Sequence, residues 1–151
     1  MMIMKYNIFI SAPISGFCNS NEYNYFRSFL LKLIKAIRKK GFEVCSEVEI
    51  ISTMKDYSCP TKSVQDDFMS ISKSDIFLFC HPKAMQSSSL IELGFACALN
   101  KQIVLVGKVN DLPYLARGLQ NSYIQTTRID LVDYSDSMVS NICSTIEGIC
   151  T

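Results

Sequence analysis

The sequence predicts an α/β fold in which one five-stranded parallel sheet is covered by helices on both faces. Two short apolar runs, residues 76–80 and 103–106, are typical of buried parallel strands, and a helical stretch lies between them. Strands and helices alternate along the chain, and right-handed crossovers join such units into a three-layer sandwich with strand order 2-1-3-4-5. Because 48% of the 151 residues are hydrophobic, residues 1–151 are expected to form a single domain.

The first helix and its flanking strands have recognisable boundaries. Strand 1 is predicted at residues 5–11 and ends at a loop that contains proline and glycine. The helix begins at polar capping residues 19–22 and ends before Gly41, after several cations that suit the negative end of a helix. Strand 2 is predicted at residues 42–46.

The middle of the chain combines an irregular segment with a second helix. Residues 47–62 have the least regular pattern, and we interpret part of them as an active-site lid. Thr61 or Ser63 is expected to cap the second helix, which leads into strand 3 at Ile76–Cys80. His81 follows as a residue of the strand end rather than as a base.

The second half of the chain continues the alternation. The stretch 86–100 is predicted to contain the third helix, and strand 4 follows at Gln102–Val106. A short helix with proline near its first turn is expected at residues 112–118. Strand 5 is predicted at residues 123–132, and an amphipathic helix at residues 135–149.

The composition narrows the classes of partner and cofactor. With 15 Lys and Arg against 14 Asp and Glu, no overall field attracts the protein to nucleic acid or to a membrane. Neither a secretory signal nor an apolar window near ~20 residues is present, so a cytoplasmic protein is expected. The seven cysteines are odd in number and lack Cys-x-x-Cys spacing, which favours reduced packing residues. No cofactor or metal site is expected, because glycine-rich nucleotide loops and metal-ligand spacings are missing.

A ligand site is expected at the crevice between strands 1 and 3. In open α/β sheets, ligands bind outside the carboxyl ends of the strands at this position. The loop after strand 1 faces the start of the third helix there, and both carry serines. Hydroxyl groups and free N–H groups at a helix start are suited to hold phosphate or ribose oxygens. The predicted substrate-binding residues are Ser11, Pro13, Ser15, Gly16, Ser87, Ser88 and Ser89.

Glu92 has two interpretations. Ser89 and Glu92 have the spacing of a capping box, in which each side chain binds the other residue's backbone N–H. Alternatively, Glu92 lies in the crevice and takes part in chemistry. We favour the second interpretation, since three successive serines exceed what one cap requires.

A carboxylate at this position points to cleavage of a glycosidic bond. The positive end of the helix is expected to keep Glu92 ionised, and an ionised carboxylate can attack or stabilise an oxocarbenium-like sugar carbon. An ionised Glu92 is a poor general acid, so a second group must protonate the leaving base unless the base leaves readily by itself. Asp67 and Asp66 are the candidates, and the alternative is that they are exposed helix acids.

Three further elements carry a resemblance to a known family. They are the run at residues 8–13, Asp67 with Asp75 eight residues later, and Glu-Leu-Gly-Phe-Ala from Glu92 followed by residues 101–105. Over roughly residues 5–120, this combination resembles the nucleoside 2-deoxyribosyltransferase family and is similar to the deoxynucleotide N-hydrolases of that superfamily. The resemblance implies a flavodoxin-like fold, Glu92 as the nucleophile, and Asp67 as the residue that handles the base or its proton. It also implies a nucleoside or nucleotide substrate and a homo-oligomer.

The flanking positions favour one branch of that superfamily. Transferases commonly carry an acid six residues before the glutamate, where this chain has Gln86, and a glycine-rich approach where it has serines. The serines are more similar to the nucleotide-hydrolase branch, in which hydroxyls hold a 5′-phosphate. The arginine expected in that branch's first loop is missing here. Water, another base or the substrate itself remain alternatives as the acceptor.

Two other functions stay open. TIR and TIR-like domains of bacterial defence systems resemble this chain in their sheet and in a helical glutamate that follows serines. That resemblance implies cleavage of NAD to nicotinamide and an ADP-ribose-type signal, with Arg117 as a phosphate ligand rather than a solvent-facing side chain. The other alternative is a nucleotide-sensing module without turnover, in which Glu92 is only a helix cap.

Overall fold

The computed structural model describes residues 5–51 and 59–151, and its strands form one parallel sheet. These strands are β1 (Asn7–Ser11), β2 (Glu43–Ser46), β3 (Ile76–Cys80), β4 (Gln102–Val106) and β5 (Thr126–Ile129). Their order is β2-β1-β3-β4-β5, so the predicted sheet is confirmed. The fold class is α/β and flavodoxin-like, with helices on both faces of the sheet.

The helices divide between the two faces of the sheet. They are α1 (Ser20–Lys39), α2 (Pro60–Lys73), α3 (Ser89–Ala98), α4 (Tyr114–Arg117) and α5 (Asp136–Ile149), with short 3-10 turns between them. Apolar residues of α1 and α5 pack with one face of the strands, and residues of α2, α3 and α4 pack with the other. β3 and β4 alternate between these two clusters along their length, which explains their continuous apolar runs.

Two predicted boundaries are wrong. β5 spans only Thr126–Ile129, because the chain turns just before it: the Ser122 hydroxyl accepts a hydrogen bond from the Ile124 amide, and Tyr123 is 92% exposed. Neither Thr61 nor Ser63 caps α2. The helix starts earlier, with Pro60 in its first turn, and the Cys59 thiol accepts a bond from the Lys62 amide at 3.4 Å.

Other expectations are met only in part. Gly41 has φ of 98°, which suits the predicted glycine just past the end of α1. The predicted lid includes residues 52–58, which lie outside the described residues. Cys80 and Cys143 are buried, as packing residues should be, but Cys18 and Cys59 are exposed. No helix in residues 5–51 and 59–151 has the length and apolar character needed to cross a membrane.

The sheet register brings the ends of β1 and β2 together. Ile10 of β1 pairs with Ser46 of β2, and Ser11 pairs with Phe79 of β3. Ser11 follows Ile10 and Glu47 follows Ser46, so both residues lie at the same carboxyl edge of the sheet. The candidate site lies at this edge.

Candidate active site

A cavity of about 370 Å³ opens at the carboxyl edge of the sheet. Its walls come from the loop after β1, the turn after β2, and the N-terminal turns of α2 and α3. The lining residues are Ala12, Ile14, Ser15, Glu47, Pro60, Ser63, Val64, Asp67, Ser87, Ser88, Ser89, Ile91, Glu92 and Phe95. The volume lies within the range of about 300–1,000 Å³ that is usual for small-molecule sites.

Glu92 points into this cavity and does not form the alternative capping box. Its Oε1 atom accepts a hydrogen bond of 2.8 Å from the hydroxyl of Ser11, which is only 1% exposed. Ser88 holds the N-cap position of α3, and no cap bond from its side chain occurs within the described residues. The Ser89 amide donates instead to the Ser87 hydroxyl at 3.2 Å. The serines therefore hold one another, and Glu92 is free to face the end of β1.

Three acids from three different elements meet in the cavity. One carboxyl oxygen from each of Glu47, Asp67 and Glu92 lies within 4.8 Å of the other two. The pairing of α2 with α3 explains part of this arrangement. The rings of Phe68 and Phe95 meet edge to face at 5.2 Å between centroids, and this contact holds Asp67 of α2 beside Glu92 of α3.

Burial and neighbouring acids raise the proton affinity of the two glutamates. Burial is the main cause that raises the pKa of Glu92 to about 8; Asp67 adds to the rise, and the bond from Ser11 opposes it. Burial, followed by contact with Asp67, raises the pKa of Glu47 to about 9. These values favour protonated glutamates at neutral pH.

The expectation that the helix end keeps Glu92 ionised is wrong for the unliganded protein. The Glu92 side chain reaches the hydroxyl of Ser11 instead of the first backbone N–H groups of α3. Its second oxygen, Oε2, is buried, and no N–H or O–H group of residues 5–51 and 59–151 donates to it. Burial next to another acid thus outweighs the helix dipole here.

The predicted binding serines reach the cavity, but not every predicted residue lines it. Ser15, Ser87, Ser88 and Ser89 lie in the wall, and Ser11 reaches Glu92. Pro13 is buried and Gly16 is half-buried, and neither belongs to the described lining. A Cβ atom on Gly16 would lie 2.8 Å from the carbonyl oxygen of Gln86, so this glycine permits close contact between the two loops.

Arg117 and Asp66 lie outside the described wall of the cavity. The Arg117 guanidinium donates to the carbonyl oxygen of Leu112 at 2.8 Å and fixes its own turn. Asp66 pairs with Lys62 at 2.6 Å on the exposed face of α2. The solvent-facing alternatives for these two residues therefore describe their positions better.

Glu47 is a site residue that the sequence reasoning missed. It directly follows β2 and lies in the segment that we interpreted as a lid. A usable signal was present, since an acid at the carboxyl end of a strand beside β1 must lie at the same edge as Ser11.

The three carboxyl oxygens are also close enough to ligate one hard cation. Such cations usually take six or more oxygen ligands, of which the acids would supply three. The absence of a metal and of a cofactor in the working protein stays a prediction.

Comparisons with known proteins support the fold. Neither a family model nor a curated protein sequence matches the chain. Among solved structures, the chain is similar to the CMP N-glycosidase BcmB of Clostridium botulinum, with 20% identity and a TM-score of 0.68 over 90% of this chain and 98% of that one. It is also similar to BlsM, with 20% identity and a TM-score of 0.72 over 97% of this chain and 95% of that one. At this level of identity, the similarity establishes a shared fold.

Proposed function

We propose that the protein cleaves the N-glycosidic bond of a nucleoside or nucleotide, with Glu92 as the nucleophile. The observation that carries this proposal is the Glu92 carboxyl in the cavity. Ser11 holds one of its oxygens, while the other is buried and receives no N–H or O–H donor from the described residues. An oxygen in this state is available to bond to an electron-deficient sugar carbon.

The spacing of the acids supports a covalent route. Glycosidases that form a glycosyl-enzyme intermediate keep their two carboxyl groups about 5–5.5 Å apart, whereas those that place water between them need about 6.5–9.5 Å. Oxygens of Glu92 and its two neighbouring acids lie within 4.8 Å, which leaves too little room for an attacking water between them. Glu92 would therefore attack C1′ of the sugar itself, and water would release the sugar in a second step.

Asp67 would position the base or its proton. It contacts Glu92 directly, and this contact favours the protonated form of Glu92 in the empty site. When a sugar carbon with developing positive charge occupies the site, the same carbon favours the ionised form of Glu92. Glu92 would then give its proton to solvent water as substrate binds, and its carboxylate would be the nucleophile.

The cavity supports a single nucleoside or nucleotide as substrate. Ser15 and the serines at the start of α3 present hydroxyl groups suited to sugar or phosphate oxygens. A volume of about 370 Å³ suits one nucleotide unit better than the two units of NAD. Because one protein of the same fold is a CMP N-glycosidase, CMP is the first substrate to test.

Chromatography of reaction mixtures tests this proposal. Wild type would be incubated separately with CMP, dCMP, cytidine and NAD, and the free base or nicotinamide quantified over time. We expect base release from at least one nucleoside or nucleotide, and a loss of about 10⁴-fold in Glu92→Gln. The matched control is Asp66→Asn, which neutralises an exposed acid on α2 and should keep wild-type activity.

Three outcomes would contradict the proposal in different ways. Equal activity of Glu92→Gln and wild type would remove Glu92 from the chemistry. Nicotinamide release without release of any base would favour the NAD-cleaving alternative. Nucleotide binding by calorimetry with no product at any time would favour the non-catalytic sensing module.

A further inference from the structure

Glu47 and Glu92 line the same cavity from different elements. Glu47 lines the cavity from the end of β2, and Glu92 lines it from α3, which follows β3. In the sheet, β1 lies between β2 and β3. A sugar carbon bound to Glu92 would thus have Glu47 on a different wall of the same cavity. A proton donor needs such a position, since it must reach the base while the nucleophile reaches the sugar.

We propose that Glu47 is the proton donor to the departing base, so that Glu47 and Glu92 divide acid catalysis and nucleophilic attack between them. This inference rests on the proposed function. It assigns to Glu47 the role for which the sequence had offered Asp66 and Asp67.

The contacts within the cluster distinguish the two glutamates. The Ser11 hydroxyl donates to Glu92, and such a bond stabilises the ionised form of that carboxyl. Among the causes that act on Glu47, burial comes first, and contacts with Asp67 and the charges of Glu92 and Asp66 all favour the protonated form. Of the two glutamates, Glu92 therefore gives up its proton more readily, and Glu47 keeps its proton to higher pH.

Asp67 fits the role of a positioning residue. It contacts both glutamates, and each contact favours the protonated form of the glutamate. A hydrogen bond between two carboxyl groups needs one proton, and here Asp67 is the acceptor. It would hold the Glu47 carboxyl in place and keep the proton on it until a base is bound.

The reaction can be written with its atoms and electrons in balance. The bond from C1′ to the base nitrogen breaks, and its electron pair goes to the base. The Glu47 proton is transferred to the base, and a Glu92 oxygen bonds to C1′. Water then adds its hydroxyl to C1′ and gives its proton to the Glu47 carboxylate, while Glu92 leaves as a carboxylate.

A comparison of two leaving groups tests the role of Glu47. The first substrate is the best nucleoside or nucleotide of wild type, and the second is its analogue methylated on a ring nitrogen, whose cationic base departs neutral without a proton. Glu47→Gln should lower kcat on the first by about 10²–10⁴-fold, but on the analogue by less than about tenfold. Glu92→Gln should abolish turnover of both.

The dependence of kcat on pH gives a second readout. Wild-type activity should fall as rising pH removes the Glu47 proton, and this alkaline fall should be missing in Glu47→Gln. The acids that face Glu47 are Asp67, Asp66 and Glu92, so the profile is also measured in Asp66→Asn, which should keep the fall. Glu47→Asp keeps a carboxyl group and should regain at least tenfold over Glu47→Gln.

The outcomes separate this inference from the proposed function. Equal losses on both substrates, or an alkaline fall that persists in Glu47→Gln, would overturn the role of Glu47 while leaving Glu92 as nucleophile. Wild type that releases no base from any substrate would overturn the proposed function and this inference together. Glu49→Gln is the folding control, because Glu49 lies two residues away and pairs with Arg38 at 2.6 Å outside the cavity lining.

Discussion

The acids around the cavity differ from the acids on the surface in their partners. On the described surface, Asp66 pairs with Lys62 and Glu49 with Arg38, each at 2.6 Å. In the cavity, three carboxyl groups lie against one another, and the described lining contains neither lysine nor arginine. The surface acids are stabilised by opposite charge, whereas the two cavity glutamates are stabilised by holding protons. Carboxyl groups with strongly raised pKa values cluster at functional sites in proteins.

The neighbours Asp66 and Asp67 allow the sharpest test of this difference. Asp67→Asn removes the acceptor that contacts both glutamates, so we expect kcat for base release to fall by about 10²–10³-fold. Asp66→Asn breaks only an exposed ion pair with Lys62 and should leave kcat within about twofold, with little change in Tm. Steady-state kinetics and thermal unfolding of both variants check these values.

Similar losses of activity in Asp66→Asn and Asp67→Asn would contradict the distinction between surface acids and cavity acids. Such a result would mean that total negative charge near the cavity matters more than the position of a carboxyl group. It would also weaken the assignment of Asp67 as a positioning residue.

The stability of the protein should depend on pH through the cavity acids. The pKa of Glu47 is raised from its ordinary value of 4.5 to about 9, and that of Glu92 to about 8. A raised pKa stabilises the folded state below the ordinary value, and this contribution is lost as pH rises through the folded value. Wild type should therefore lose stability between about pH 5 and pH 9.

Glu47→Gln should flatten that dependence, because glutamine stays neutral at every pH. At pH 9 we expect the variant to be more stable than wild type by about 1–2 kcal/mol, or about 2–8 °C in Tm, with little difference at pH 5. The control Glu49→Gln loses an ion pair with Arg38 and should be less stable than wild type rather than more. Differential scanning calorimetry at both pH values measures these differences in Tm. A Glu47→Gln variant less stable than wild type at pH 9 would contradict the raised pKa of Glu47.

The fold was more predictable than the site because it depends on patterns that repeat. The continuous apolar run of Ile76–Cys80 and the helix after it predict a buried parallel sheet, and the observed strand order agrees. The placement of Ser11 opposite Glu92 followed from that order. These predictions needed only periodicity and the crossover rule.

The chemistry of the site depends on contacts that a sequence does not show. The spacing of Ser89 and Glu92 is that of a capping box, yet the Glu92 side chain goes to Ser11, 81 positions away along the chain. The proton affinity of Glu47 comes from burial beside Asp67, which belongs to another helix. Such long-range proximity reversed the expected ionisation of Glu92, although the residue itself was correctly placed in the crevice.

The smallest expected effect on stability concerns the N-cap residues of α1 and α3. At the surface, the Asn19 side chain accepts a bond of 2.9 Å from the Glu22 amide and caps α1, so Asn19→Ala should cost about 1 kcal/mol of unfolding free energy. At the cavity, the Ser88 side chain makes no such bond within the described residues. Ser88→Ala should therefore cost only about 0.3 kcal/mol or less.

In nucleotide binding, unlike in stability, Ser88→Ala should have the larger effect of these two substitutions. If the open start of α3 holds sugar or phosphate oxygens, Ser88→Ala should weaken nucleotide binding by about three- to tenfold, which corresponds to one lost hydrogen bond. Asn19→Ala should leave the binding constant unchanged, because the Asn19 bond is satisfied within α1. Calorimetric titration of both variants in a Glu92→Gln background, which we expect to lack turnover, would measure both binding constants. Equal affinities of Ser88→Ala and Asn19→Ala would mean that Ser88 is not a ligand-binding group.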